Sequence, residues 1–224
     1  MEYVESFERE RAKAYDERIV RMIPFYDEVK ELVATLLLEF VKENSKILCA
    51  GCGTGADFQK LLEVAPDRYS ITGVDPSPEM ISQAKVKYPS LHLECCTVQN
   101  LPINISYSGA TLLFVLHFLS DDGTKLSLLQ EIAKRLTPGS LFVLFDLYDP
   151  IPHNGDFIFR TVESYLKNFK EWKSSELKLY MKRVKQLPRI SGPRYQELLH
   201  EAGFSNAQQV FQVMHVCGWV AFKS

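Results

Sequence analysis

Alternating glycines and a carboxylate further along the chain give the strongest chemical signal in this sequence. Gly51, Gly53 and Gly55 follow a short apolar run at residues 46–50 and precede a helical stretch. Glycines at such a turn let backbone amides and a helix N-terminus approach a ligand without clashes from Cβ atoms. Asp75 ends the next apolar run, where a carboxylate can accept hydrogen bonds from both ribose hydroxyls of a nucleotide-like ligand. Together these residues predict a nucleoside cofactor.

The spacing of the glycines narrows the choice of cofactor. Dinucleotide-binding loops carry G-x-G-x-x-G, whereas the glycines here follow G-x-G-x-G, and no further phosphate-binding glycine or arginine follows. The pattern therefore disfavours NAD and FAD. The alternative is a tight strand-to-helix turn in which Asp75 only caps the next helix, and the surrounding alternation of strands and helices disfavours that alternative.

Other candidates for chemistry follow later apolar runs. His117 comes after the fourth run, at the edge where open α/β sheets bind ligands, so it is a candidate general base or acceptor contact. The alternative is that His117 has only a structural role, in packing or in a hydrogen bond. Asp146, Tyr148 and Asp149 follow the fifth run at the same edge, where a solvated loop is an equally good interpretation.

The cysteines do not predict a metal site. Cys49 and Cys52 have the C-x-x-C spacing of thiolate ligands, but Cys49 falls in a predicted buried strand and Cys52 inside the glycine loop. Cys95 and Cys96 are adjacent in sequence, and adjacent cysteines rarely bind one metal together. We expect no metal.

These residues must be positioned by alternating strands and helices. Strands are predicted at residues 46–50, 71–75, 91–95, 111–116 and 141–147. Helices are predicted at residues 57–65, from the Ser77 cap and Pro78 to about Tyr88, and from Ser120 to a stop at residues 136–139. This order predicts an α/β fold with a doubly wound, Rossmann-like sheet built from parallel βαβ units.

Helical segments flank that core. Residues 7–41 predict two helices that meet near Pro24, since proline interrupts a helical pattern. Residues 150–195 predict a helical cap between strands five and six. A helix at 195–202, ended by Gly203, then leads to runs at 207–214 and 216–222 that can pair antiparallel. We therefore predict one domain with seven strands, the last of them antiparallel.

Composition excludes several classes of protein. The chain has 224 residues, 46% of them hydrophobic, and 26 basic against 28 acidic residues. This predicts one globular domain with no overall character of a polyanion binder. No apolar run approaches the ~20 residues that span a membrane, and the charged N-terminus lacks the apolar core of a secretion signal. We expect a cytoplasmic protein with reduced cysteines.

The predicted cap is rich in basic residues, although the net charge of the whole chain is close to zero. Residues 160–194 hold ten basic and three acidic residues, interleaved with aromatic ones. Such a cap could attract an anionic substrate or an RNA backbone, and its aromatic residues could wall an apolar pocket. The alternative is a solvated helical face whose lysines cover apolar surface.

Four segments of the chain resemble the motifs of class I S-adenosylmethionine-dependent methyltransferases, in that family's order. They are the glycine loop and residues 73–80, 112–119 and 135–139. The resemblance implies S-adenosyl-L-methionine as cofactor and S-adenosyl-L-homocysteine as product. It implies that the three glycines line the methionine moiety, that Asp75 holds the ribose, and that residues 76, 80 and 96–98 border the adenine. The cofactor-binding set implied in this way is Tyr26, Gly51, Cys52, Gly53, Gly55, Asp75, Pro76, Met80, Cys96, Thr97, Val98 and Leu113.

A narrower resemblance covers nearly the whole chain. The chain is similar to the bacterial carboxy-S-adenosylmethionine synthase branch, which serves tRNA wobble-uridine modification. The similar segments are residues 21–26, 117–119 and 199–204. That branch has an arginine where this chain has Leu198 and an asparagine where it has Leu113. An arginine fork reads a carboxylate, so its absence disfavours carboxyl transfer. Cys49 and Cys96 stand where the wider family usually has acids, which are stronger acceptors than thiols.

Our hypothesis from the sequence is an enzyme that methylates a small-molecule acceptor enclosed by the cap. The first alternative is a tRNA-modification enzyme, either a methyltransferase or the synthase itself, although RNA is the less favoured partner. The second is a catalytically silent cofactor-binding module. No membrane partner is expected, and a homodimer stays open.

Overall fold

Seven strands form the single sheet of this computed structural model, which describes residues 15–150 and 155–224. The strands lie in the order β3-β2-β1-β4-β5-β7-β6. Strands β1 to β5 run parallel, and β7 is antiparallel to both β5 and β6. The predicted doubly wound sheet with an antiparallel last strand is confirmed. The strands are β1 (Lys46–Ala50), β2 (Ser70–Val74), β3 (His92–Glu94), β4 (Tyr107–Leu113), β5 (Leu136–Leu147), β6 (Phe204–Val213) and β7 (Val216–Lys223).

Helices cover both faces of the sheet because its central strands are apolar on both sides. Ile47 and Cys49 of β1 face one helical layer, whereas Leu48 and Ala50 face the other. Helices α2 and α3 pack on the first face, and α5 and α8 on the second. The α-helices in the described residues are α1 (Tyr15–Met22), α2 (Tyr26–Phe40), α3 (Ala56–Val64), α4 (Pro78–Lys87), α5 (Thr124–Ala133), α6 (Gly155–Phe169), α7 (Ser174–Gln186) and α8 (Gly192–Glu201).

Helix boundaries near the sheet follow local sequence signals. The predicted break near Pro24 is confirmed, because α1 ends at Met22 and α2 begins after Phe25, whose φ is 60°. The predicted cap of α4 is also confirmed: the Met80 amide donates to the Ser77 hydroxyl at 3.3 Å, and Pro78 takes the first helical position. The cap of α8 was missed. That helix begins at Gly192, because Ser191 accepts from the Arg194 amide at 3.4 Å.

Strand four ends earlier than its sequence predicts. It was expected at residues 111–116, but β4 runs from Tyr107 to Leu113 because Phe114 takes a left-handed φ of 57°. A 3₁₀ turn, Leu116–Phe118, follows. His117 therefore lies in this turn rather than at the end of the strand.

The helix and strand that follow also differ from their predictions. The helix was expected to stop at residues 136–139, but α5 ends at Ala133 and Leu136 already pairs with Tyr107 in β5. The Ser140 hydroxyl donates to the Tyr107 carbonyl at 3.1 Å, which holds Pro138 and its neighbours in an irregular stretch of the strand. Strand β5 continues to Leu147, so Asp146 belongs to the strand and is fully buried. The solvated-loop interpretation of Asp146 is therefore wrong.

Helices α6 and α7 form the cap that the sequence predicts between strands five and six. They share a small apolar cluster, in which Val162, Leu166 and Leu177 are buried. The Tyr180 hydroxyl of α7 donates to the Met22 carbonyl at 3.2 Å, so the cap also touches the end of α1. None of the helices in the described ranges is long and apolar enough to cross a membrane.

Candidate active site

The glycine loop connects β1 to α3 at the carboxyl edge of the sheet. Gly51, Gly53 and Gly55 have φ values of 64°, 52° and 97°, in the left-handed region that favours glycine. A Cβ on Gly55 would lie 2.5 Å from the Tyr88 ring, whereas a Cβ on Gly53 would meet nothing within 4 Å. The loop thus has open space at Gly53, and the N-terminus of α3 follows directly.

Asp75 joins this loop to the beginning of α4. Its Oδ2 atom accepts from the Gly53 amide at 3.0 Å, and its Oδ1 atom accepts from the Ser77 amide at 2.8 Å. Burial raises the pKa of the Asp75 carboxyl, against the effect of these two hydrogen bonds. The structure therefore brings together the two features that the sequence singled out first.

The remaining predicted cofactor contacts follow β2 and β3. Pro76 and Met80 follow β2, Met80 being buried, and Cys96, Thr97 and the buried Val98 follow β3. The Cys95 thiol donates to the Pro76 carbonyl at 3.8 Å, so the two segments lie side by side.

Tyr26 and Leu113 lie near the end of β4. Tyr26, in α2, is buried and packs its ring on that of Phe114, with the centroids 5.7 Å apart. Leu113 is buried at the end of β4.

A buried carboxyl group that the sequence reasoning missed lies beneath the glycine loop. Asp57, in the first turn of α3, accepts from the Thr111 hydroxyl at 2.7 Å and is almost fully buried. Burial raises the pKa of Asp57 to about 7. Burial, and then the charge of Asp57, raise the pKa of the neighbouring Cys49 thiol. The sequence feature that could have identified Asp57 is its position as a single acid on the apolar face of α3, beside Phe58.

The positions where cysteines replace the expected acids therefore both have an acid nearby. Asp57 stands close to Cys49, and the Cys96 thiol donates to the Glu94 carboxylate at 3.9 Å. All five cysteines are free. Across the described ranges, no group of three or more His, Cys, Asp or Glu side chains is arranged to hold a metal ion.

Helix α1 lies over the glycine loop. The Asp16 carboxylate accepts from the Thr54 hydroxyl in the loop and pairs with the Lys87 ammonium group at the end of α4. Thr54 is buried by this arrangement. One acid of α1 thus holds the helix against the two elements that border the loop.

A cavity of about 360 Å³ lies between α1, the cap and the edge of the sheet. Its walls are mainly apolar and aromatic, with Ile19 from α1, Phe114 and Leu147 from the edge of the sheet, and Trp172 and Val184 from the cap. This volume is in the range of small-molecule sites.

Charged groups at the cavity are mainly basic. Arg18, Arg21 and Arg183 line it, against one acid, Glu176, and all four side chains are exposed. The cap contributes one base, Arg183, and one acid, Glu176, so the excess of basic groups at the cavity comes from Arg18 and Arg21 of α1.

His117 reaches the cavity from the sheet edge. It lines the cavity while its Nδ1 atom is hydrogen-bonded to Asp146 Oδ1. The other oxygen of Asp146 accepts from the Tyr195 hydroxyl at 2.7 Å. The sequence marked His117 and Asp146 separately, and Tyr195 was missed because it comes from α8, far along the chain.

Val115 connects the glycine loop to the cavity. A Cβ on Gly51 would lie 2.5 Å from Val115, so the Val115 side chain packs directly on the loop. Its neighbours Phe114 and His117 line the cavity. A ligand over the loop and a ligand in the cavity would therefore be separated only by the segment that holds Phe114, Val115 and His117.

Comparison with known proteins relates the chain to methyltransferases. Residues 47–139 match a family described as a methyltransferase domain. Carboxy-S-adenosyl-L-methionine synthases of Yersinia pestis and Yersinia pseudotuberculosis are 24% identical over 228 residues, which cover 98% of this chain and 84% of theirs.

Solved methyltransferases share the fold. The plantazolicin methyltransferase BpumL, in complex with a pentazolic desmethylPZN analog and SAH, superposes with a TM-score of 0.69 at 17% identity, over 97% of this chain and 92% of that one. The magnesium protoporphyrin IX methyltransferase ChlM of Synechocystis PCC 6803, with bound SAM, superposes with a TM-score of 0.61 at 14% identity, over 97% and 86%.

Proposed function

We propose that this chain, a class I S-adenosylmethionine-dependent methyltransferase, methylates a small, anionic acceptor that binds in the cavity between α1 and the cap. Its cofactor is S-adenosyl-L-methionine. The size and the charge of the acceptor are inferred from the cavity. A cytoplasmic location is also proposed, and the five free cysteines agree with it.

The residues at the glycine loop fit this cofactor. Three glycines with positive φ, the open space at Gly53 and the Asp75 carboxylate suit a nucleoside with a polar amino-acid tail. Asp75 would hold the ribose hydroxyls, and the loop amides would contact the tail. When bound, the sulfonium group supplies a methyl group to a nucleophile that approaches in line with its carbon–sulfur bond.

The position of the cavity carries the proposal. Because Val115 packs on Gly51 while Phe114 and His117 line the cavity, an acceptor there would be next to the end of the cofactor that reacts. The apolar walls would exclude water, which favours a transfer that depends on positioning. Arg18, Arg21 and Arg183 would attract a carboxylate or phosphate on the acceptor.

Leu198 supports methyl transfer over carboxyl transfer. This residue stands where the resembling synthase branch has its carboxylate-binding arginine, and it is fully buried in the apolar core against α5. It offers no charge to a carboxylated cofactor. A cavity of this volume also suits a small molecule better than an RNA strand.

The test is a screen of small carboxylates and phosphates for acceptor-dependent formation of S-adenosyl-L-homocysteine, followed by the Arg183→Gln variant. A hydrogen bond to a charged group contributes about 1.5–3 kcal/mol, so KM for a charged acceptor should rise at least about tenfold. KM for the corresponding uncharged ester should not change.

Lys178→Gln is the matched control, since Lys178 is an exposed cation on the same helix outside the cavity. Equal effects of the two substitutions would contradict the proposed anion contact. Cofactor binding without turnover on any acceptor would instead favour the silent-module alternative.

A further inference from the structure

We infer that the acceptor group is a hydroxyl, that His117 Nε2 removes its proton, and that Asp146, Tyr195 and Lys125 position His117 for this step. The inference rests on the proposed function, because it names the chemistry of the same cavity. It adds the atom that is methylated and three positioning residues from β5, α8 and α5.

The hydrogen bonds of Asp146 assign the proton on His117. A carboxylate only accepts hydrogen bonds, and Asp146 is fully buried. Burial keeps the pKa of Tyr195 well above its ordinary value, so the Tyr195 hydroxyl stays protonated and donates to Oδ2. Oδ1 is then the acceptor for His117 Nδ1, which must carry the ring proton. A ring with a single proton, on Nδ1, then has its lone pair on Nε2.

The His117 ring lines the cavity. Its Nδ1 atom is turned to the buried Asp146 carboxylate, so Nε2 is the ring nitrogen left for a ligand. Within the part of the chain that the structure describes, Nδ1 is the His117 ring atom with a hydrogen-bond partner. The hydrogen bond to Asp146 fixes both the tautomer and the orientation of the His117 ring.

Lys125 holds the backbone of the turn that carries His117. Its ammonium group is fully buried and donates to the Leu119 carbonyl at 2.6 Å and to the Leu116 carbonyl. These two carbonyls lie on either side of His117 in sequence. A buried ammonium group is costly unless its hydrogen bonds are made, so this contact restrains the turn strongly.

The chemistry of a hydroxyl explains why such a base would be present. A hydroxyl oxygen is a weak nucleophile until its proton leaves, whereas a carboxylate or a thiolate needs no base. In the balanced step, an oxygen lone pair forms the bond to the methyl carbon and the carbon–sulfur pair stays on sulfur. The hydroxyl proton moves to His117 Nε2. The resulting imidazolium is stabilised by the Asp146 carboxylate beside Nδ1.

The first experiment is nitrogen NMR of the histidine rings in the free protein, which needs no acceptor. Wild type should show His117 with its proton on Nδ1. In Asp146→Asn, the amide group can donate to Nδ1, so the proton should move to Nε2. Tyr195→Phe keeps the carboxylate and should keep the wild-type tautomer. His117→Gln assigns the His117 signals, and His200→Gln, on the exposed side of α8, should leave those signals unchanged. A wild-type ring protonated on Nε2 would overturn the inference, whether or not Asp146→Asn folds.

The second experiment uses a hydroxynitrobenzoate as a chromophoric probe, added with S-adenosyl-L-homocysteine at a pH where the free phenol is protonated. Bound to wild type, it should give the absorbance of the phenolate, because His117 takes the proton. His117→Gln should bind the probe as the phenol, with at least about a tenfold smaller phenolate signal. Equal spectra in the two proteins would refute the base. Failure of the wild type to bind the probe would count against the proposed cavity, and the tautomer measurement would then decide the inference about His117.

Discussion

Asp57 is expected to make the protein less stable as the pH rises from about 4 to about 7. Its carboxyl is almost fully buried, its hydrogen-bond donor is the Thr111 hydroxyl, and its pKa is raised to about 7. In the unfolded chain an aspartate has a pKa near 3.9. The folded state therefore keeps a proton that the unfolded chain releases.

The sign and size follow from this difference. Between the two pKa values the folded state binds more protons, so the free energy of unfolding falls as pH rises. One pKa unit corresponds to about 1.36 kcal/mol, which makes the full cost about 4 kcal/mol. Part of it is already present at about pH 5, and about 2.5 kcal/mol remains to be lost between about pH 5 and about pH 8.

Asp57→Asn isolates this contribution. Asparagine has the same shape, its amide oxygen can accept from Thr111, and it does not titrate. The difference in unfolding free energy between the variant and wild type should therefore shift by about 2.5 kcal/mol in favour of the variant between about pH 5 and about pH 8. Urea unfolding at a series of pH values, without added cofactor, measures it.

The comparison of two proteins at each pH removes the effect of all other titrating groups. Asp67→Asn, in an exposed turn before β2, is the matched control and should show no such trend. A variant-minus-wild-type difference that stays constant within about 0.5 kcal/mol over this range would refute the reasoning. The Asp57 carboxyl would then be solvated or compensated in a way that the described contacts do not explain.

Two further predictions concern the cofactor loop and the core beneath the cap. Asp75→Ala removes the acceptor of the Gly53 and Ser77 amides. Because a hydrogen bond to a charged group contributes about 1.5–3 kcal/mol, calorimetry should show at least about a tenfold loss of affinity for S-adenosyl-L-homocysteine. An unchanged affinity would mean that the cofactor binds elsewhere. His215 is fully buried and its pKa is lowered to about 3, so stability that is present above the unfolded pKa near 6.5 is lost as the pH falls. Between about pH 7 and about pH 5, wild type should therefore lose about 2 kcal/mol relative to His215→Gln in urea unfolding, and parallel curves for the two proteins would contradict this prediction.

Helix α1 connects the two halves of the proposed site. Asp16 holds it to the glycine loop and to α4, while Ile19 and Arg18 on the same helix line the cavity. Both ligands would therefore be covered by one short helix.

Local signals in the sequence determined most of the fold. The alternation of apolar runs with helical patterns is enough to predict a parallel sheet, since short buried strands and amphipathic helices can be packed in few ways. Gly51, Gly53, Gly55 and Asp75 could be singled out because a loop that needs positive φ and a carboxylate after the next strand both occur within about 30 residues of sequence. Ser77 and Pro78 were similarly found from the chemistry of a helix start.

Element boundaries were less predictable where contacts distant in sequence decide them. Strand β4 ends at Leu113 because Phe114 takes a left-handed conformation and Lys125, from α5, binds the carbonyls of the turn that follows. Strand β5 begins at Leu136 because it pairs there with Tyr107. Neither effect is present in the local pattern of apolar residues.

Only the tertiary structure decided the chemistry of the cavity. His117 precedes Asp146 by 29 residues and Asp146 precedes Tyr195 by 49. The three meet because the turn after β4, strand β5 and helix α8 pack at one edge of the sheet. The sequence did not show that Asp57 and Asp146 are both buried. A proton's position and a raised pKa depend on burial and on partners within a few ångströms, and folding alone supplies these.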